Sequence, residues 1–162
     1  MPKIIKNGQV VDDNWQVWRD AETLPSADHV IVPLALWQQQ RDALLALGEI
    51  AVYLASDESP KSLSDDDLST LSFVAVDFPK FMDGRGFSYA RELREQRRYQ
   101  GEIRAVGDFI RDQLFYMKRC GFSSYALPSD ELEAALASLN DFSESYQSSV
   151  DQPLPLFRRR QA

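Results

Sequence analysis

Cysteine and histidine are almost absent from this chain, with Cys120 and His29 alone among 162 residues. One thiol cannot make an intrachain disulfide, and one thiol with one imidazole cannot build an all-protein zinc site or ligate an iron–sulfur cluster. Long apolar runs are missing too, none approaching the roughly 20 residues needed to cross a bilayer. The opening Met1-Pro2-Lys3-Ile4-Ile5-Lys6-Asn7-Gly8 enters a strand-turn pattern directly, without the apolar segment and cleavage site of a secretory signal. A cytoplasmic protein with no membrane partner is therefore expected. Basic charge is also short: 18 Lys and Arg stand against 25 Asp and Glu, for a formal charge of -7. That balance repels phosphate backbones and argues against a nucleic-acid partner, leaving a protein or a small anion.

What is present is a globular composition, 44% hydrophobic and 27% charged, on a length suited to a single core. Asn7-Gly8 between two β-prone runs predicts a hairpin with a type I′ turn. Asp12, Asp13 and Asn14 break that pattern, and Trp15 and Trp18 are expected to lay aromatic surface over the sheet or core. From His29 onward, strands and helices alternate. Val30 to Pro33 reads as a strand, Leu36 to Leu47 as a helix stopped by Gly48, and Ile50 to Leu54 as a strand. Ser64 caps a short acidic helix start. Phe73 to Phe78, a nearly continuous apolar run ending in Asp77-Phe78, has the character of a buried central parallel strand. Ser88 is read as the cap of a helix reaching about Arg98, Glu102 to Val106 as a strand, and Asp108 as the cap of a helix reaching about Cys120. A strand from Ser123 to Leu127 and a helix from Ser129 to about Phe142 follow.

The fold class is thus α/β: an N-terminal β-hairpin, then repeated βα units forming a mostly parallel sheet with helices on both faces, the alternative being a partial βα barrel. Residues 1–142 form a single domain and residues 143–162, with Arg158-Arg159-Arg160, a loose tail.

Ligands of parallel sheets gather beyond the carboxyl ends of the strands. Two polar βα turns fall there: Asp77 to Ser88, and Arg104 to Asp108 leading to Arg111 and Asp112. Gly84 and Gly86 free the backbone around Arg85, whose planar fork suits an oxyanion, with Ser88 behind it. Arg104 and Asp108 complete the anion-binding candidates. The competing expectation, weighted equally, is a structural ion network in which Asp83 and Arg85 pair with Arg104 and Asp108. Asp-Gly-Arg-Gly is neither a Walker loop nor a dinucleotide fingerprint. Asp77, Asp83 and Asp112 are acid–base candidates, though no spacing places a reacting atom between them. Cys120 ends a helix, where the macrodipole disfavours a thiolate, and reads as structural. Ile110, Leu114 and Met117 recur at core-facing helical spacing, and Arg91, Arg94 and Arg98 form a solvated basic stripe.

The run Val76-Asp77-Phe78-Pro79-Lys80-Phe81-Met82-Asp83-Gly84-Arg85-Gly86-Phe87-Ser88-Tyr89-Ala90, with Gly101 to Asp108, Arg111 to Leu114 and Arg119-Cys120-Gly121-Phe122, resembles a bacterial family of unknown function. Its members are commonly described as probable oxidoreductases of sulfite reduction and lie near assimilatory sulfite reductase genes. The resemblance implies a role in sulfur assimilation, with sulfite reductase or its electron donor as partner, but brings no catalytic residues. The chain has no intrinsic metal or iron–sulfur site, so redox work would need a noncovalent flavin or nicotinamide, or a partner's cofactor. The alternative implied function is an oxidoreductase or sensor binding an anionic sulfur metabolite.

Overall fold

The computed structural model describes residues 3–78, 85–109, 111–127 and 131–140. The hairpin is formed by β1 (Lys3–Lys6) and β2 (Gln9–Asp12), joined by Asn7 and Gly8 at φ 53° and 79°. Both positive angles are those a type I′ turn requires. A two-residue strand, β3 (Gln16–Val17), and β4 (Val30–Pro33) precede α1 (Leu34–Leu47), which Gly48 ends at φ 132° while donating its N–H to Leu45. After β5 (Ile50–Leu54), Ser64 and Asp67 form a reciprocal capping box at the start of α2 (Asp65–Thr70). There follow β6 (Val74–Phe78), α3 (Arg85–Arg91) running into a π-helical turn at Glu92–Gln96, β7 (Ile103–Gly107), α4 (Leu114–Cys120), β8 (Ser124–Tyr125) and α5 (Leu132–Asn140).

Among the described residues, eight strands form one curled sheet, a half-barrel, in the order β2-β1-β8-β7-β6-β5-β4-β3. Strands β3 to β8 are parallel neighbours, while β1 runs antiparallel to both β8 and β2. The mostly parallel α/β sheet and its leading hairpin are as the sequence indicates. The placement of the helices follows the partial-barrel alternative. Helices reach both faces of a sheet only where the strand order reverses, and here β4 to β8 succeed one another without reversal. Right-handed crossovers then leave the helices of the described residues on the same side. The larger core cluster accordingly takes Leu36, Trp37, Leu44, Leu68, Ala90, Leu114, Met117, Cys120, Leu132, Ala135 and Leu139 from the helices of the described residues, and Leu93 from the π-helical turn.

The other face is lined by strand side chains. Ile31, Ala51, Tyr53, Phe73, Ala75 and Val106 form a second cluster, with Trp15 and Val17 against it. Trp15 meets Phe73 edge-on, with ring centroids 4.7 Å apart, which fulfils the covering role expected of it. Strand alternation separates the two clusters: on β7, Ile103 faces the helices, whereas Arg104 and Val106 face away. Among the described residues no helix is long and apolar enough to cross a membrane. The helix N-terminus assigned to Ser129, the core position assigned to Ile110 and the tail 143–162 lie outside the described residues.

Candidate functional site

The carboxyl ends of the parallel strands are staggered: Pro33 stands opposite Tyr53, Leu54 opposite Val76 and Phe78 opposite Gly107, so β6 and β7 end together beyond the last residue of β5. Asp77, one residue before the end of β6, shares the helix-free face with Ala75. Arg19, from the segment after β3, grips its carboxylate as a fork: Nη1 donates to Oδ2 at 2.7 Å and Nη2 to Oδ1 at 3.2 Å. The guanidinium carbon also stands 5.0 Å from the ring centroid of Tyr53, at the corresponding end of β5. The Arg19 side chain is 54% exposed and that of Asp77 20%, so solvent reaches the pair. The hydrogen bond that Arg19 donates to Asp77 raises the pKa of Arg19, while burial raises that of the Tyr53 phenol and Arg19 opposes it. A carboxylate, a guanidinium and a protonated phenol therefore share one rim. Arg19 and Tyr53 supply donors for a small oxyanion, and Asp77 could accept a proton once Arg19 turns to a ligand.

The strand ends from which the two polar turns leave lie side by side, since the Asp108 N–H donates to the Phe78 carbonyl at 2.9 Å. Gly107, between them, has φ +92°, and a Cβ there would stand 2.6 Å from Asp77 Oδ1 and collide with the Phe78 carbonyl. The side chain of Asp108 is exposed, as is that of Asp112 in a short 3-10 turn. Arg85 is exposed at the described start of α3, whereas Gly86 is buried. A Cβ on Gly86 would stand 2.6 Å from the Phe78 ring, so this glycine lets α3 sit directly on β6. Ser88 does not cap the helix; it lies within α3 on its exposed side. Gly84 and Asp83 lie outside the described residues.

Arg104 is not brought to this rim. It lies three residues before Gly107, and strand alternation turns it beneath the second cluster, with its side chain only 3% exposed. Nη1 is 3.0 Å from Asp13 Oδ1, Nη2 is 2.9 Å from Glu102 Oε2, and the guanidinium lies 4.3 Å from the centroid of Phe73. Ser124 Oγ also donates to Glu102 at 2.6 Å, and Lys6 Nζ approaches Glu102 Oε1 at 3.1 Å. Burial, the largest single influence, pushes the Glu102 carboxyl up, yet Ser124, Arg104 and Lys6 together hold it below its ordinary value. Arg104 does belong to a structural ion network, but its acids among the described residues are Asp13 and Glu102, and the expected Asp83 lies outside those residues.

The remaining candidates are engaged in structure. The Cys120 thiol is buried, and burial raises its pKa, so it stays protonated as a core residue. His29 lies between Asp28, 3.1 Å from Nδ1, and Glu49, 2.8 Å from Nε2, and the bond to Asp28 leads in raising its pKa. Arg94 belongs to no solvated stripe, because it donates to the carbonyls of Tyr99, Gly101 and Gly121. Arg19 and Tyr53 escaped the sequence reading. The first is an isolated arginine in an irregular segment, and the second resembles any aromatic residue of a buried strand. The signal for Tyr53 was its place one residue before a strand end.

Among the described residues, no group of three or more His, Cys, Asp or Glu side chains is placed to hold a metal ion. No curated protein and no solved structure matches the chain. The family described as a bacterial protein of unknown function (DUF934) matches residues 51–157, a span containing Tyr53, Asp77, both polar turns and the helix ending at Cys120. The chain belongs to that bacterial family.

Proposed function

We propose that this protein is an accessory component of bacterial assimilatory sulfite reduction, binding sulfite reductase or its electron donor and working in the cytoplasm. The association with sulfite reduction comes from the family resemblance of the polar turns. The observation that carries the accessory role is the placement of the only thiol and the only imidazole. Cys120 is sealed in the core as a protonated thiol, and His29 is pinned between two carboxylates. Neither is presented as a redox-active or nucleophilic group, so redox work draws on a noncovalent flavin or nicotinamide or, in this reading, on a partner's cofactor. Affinity purification from cells grown on sulfate should enrich sulfite reductase or its donor, and a deletion strain should grow poorly on sulfate but normally on cysteine. A strain that reduces sulfite normally, with a protein that never enriches either partner, would overturn the proposal.

A second reading, an oxidoreductase or sensor that binds an anionic sulfur metabolite, is favoured by a different observation: Arg19, Asp77 and Tyr53 meet at the carboxyl ends of β5 and β6. In sheets of this topology ligands collect at that end. Sulfite titration of the purified protein, followed through tyrosine and tryptophan fluorescence, separates the two readings. Saturable binding supports the metabolite site, and its absence leaves the accessory role alone.

A further inference from the structure

A cavity of about 1050 Å³ opens at the opposite end of the sheet, below the starts of β6, β7 and β8 and beside the β1–β2 turn. Its charge is reversed relative to the whole molecule. Lys6, Arg94, Arg98 and Lys118 line it against the single carboxylate of Glu102, on a chain of net charge -7. The four cations are not equivalent. Lys6 is held by Glu102 at 3.1 Å. Arg94 is directed at backbone: by binding the carbonyls of Tyr99, Gly101 and Gly121 it ties up negative dipoles that would otherwise face an incoming anion. Arg98 and Lys118 are exposed, and their side chains have no hydrogen bond or ion pair among the described residues.

The backbone at Arg98 is a separate observation. The π-helical turn Glu92–Gln96 ends at Arg97, and Arg98 follows at φ 54°. A left-handed residue after a helix is ordinarily glycine or asparagine, because a larger side chain meets its own backbone there. Here an arginine takes the position, and the next residue, Tyr99, supplies an aromatic wall whose phenol burial pushes up to about 12, so it remains a neutral donor at physiological pH. Strained backbone of this kind persists where the surroundings hold it and the side chain has work to do.

We propose that this cavity binds a small polyphosphate-type anion, with Arg98 and Lys118 as its ligating cations and Tyr99 beside them. Two side-chain cations without a partner among the described residues, beside the Tyr99, Gly101 and Gly121 carbonyls that Arg94 already satisfies, suit a compact ligand carrying more than one negative charge. The site lies at the other end of the strands from Arg19 and Asp77 and is independent of the function proposed above.

Calorimetric titration with inorganic pyrophosphate at low ionic strength tests it, with sodium sulfate as the comparison ligand of one tetrahedral group and lower charge. Pyrophosphate should bind saturably and more tightly than sulfate, and Arg98→Ala and Lys118→Ala should each weaken it about tenfold. Arg98→Gly should lose the same affinity while melting at or above the wild-type temperature, which separates a ligand contact from a fold effect. Arg19→Ala should leave pyrophosphate binding unchanged. Absence of saturable binding to the wild type, or undiminished affinity in the Arg98→Ala/Lys118→Ala double variant, would overturn the proposal. So would loss of binding in Arg19→Ala, which would put the anion at the other rim.

Discussion

Arg104 and Arg19 each hold an acid on the helix-free face of the sheet, and the two pairs differ in almost every physical respect. Arg104 is stacked on Phe73, 3% exposed, and shared between Asp13 and Glu102, whereas Arg19 is 54% exposed and holds Asp77 alone. Two ion pairs with similar nitrogen–oxygen distances therefore do different work. A desolvated pair is costly to break because the abandoned partner remains a buried charge, but a pair open to water can exchange its partner for a ligand at little cost. Arg104 fastens the strands to the Asp13 segment, and Arg19 guards a rim.

The largest test of that difference is Arg104→Ala. It abandons Asp13 and Glu102 together and should lower unfolding free energy by about 3–5 kcal/mol in urea denaturation. A loss below about 1 kcal/mol would show the Arg104 network to be as solvent-shared as the Arg19 pair. A smaller effect is expected on acidification. The folded-state carboxyl of Glu102 lies below its unfolded value of about 4.3, so the unfolded chain takes up that proton first. The stability this group contributes is complete above that unfolded value and is lost as pH falls through the lower folded one. Thermal melting between neutral and strongly acidic pH should thus fall less steeply in Glu102→Gln than in the wild type, although the variant is less stable at neutrality. Parallel melting curves would remove Glu102 from the acid response. The smallest effect on stability belongs to Arg19→Ala, expected to cost under about 1 kcal/mol because water replaces the pair. Its consequence should appear as weakened sulfite binding, read by the same fluorescence titration as for the wild type. A destabilisation matching Arg104→Ala would erase the contrast and make both pairs structural.

The arginines near the π-helical turn extend the lesson. Arg91, Arg94 and Arg98 have the spacing of one helical stripe, but the turn at Glu92–Gln96 changes the pitch. Arg94 is drawn onto three carbonyls and Arg97 onto the carbonyls of Pro60 and Leu63, while Arg98 is left at the surface. Periodicity reports which side chains could share a face. It does not report which of them satisfy the backbone of another segment.

The elements themselves were written locally. Asn7-Gly8 requires positive φ, Gly48 and Gly121 stop helices by adopting it, Ser64 and Asp67 cap each other, and the apolar run Val74–Phe78 makes a strand buried on both faces. Each depends on forces within a few residues, so the sequence by itself determined the α/β alternation, the hairpin and the structural character of Cys120. The site was only partly written. Asp77 stood at a recognisable strand end, but its partner lies 58 residues earlier in the chain, and Arg104 pairs with an aspartate 91 residues away. Which face Arg104 points to, which acids meet it and how the helices lie on one side were decided by tertiary structure. Strand order and curvature are set by the burial of surfaces distant in sequence, and no local preference encodes them.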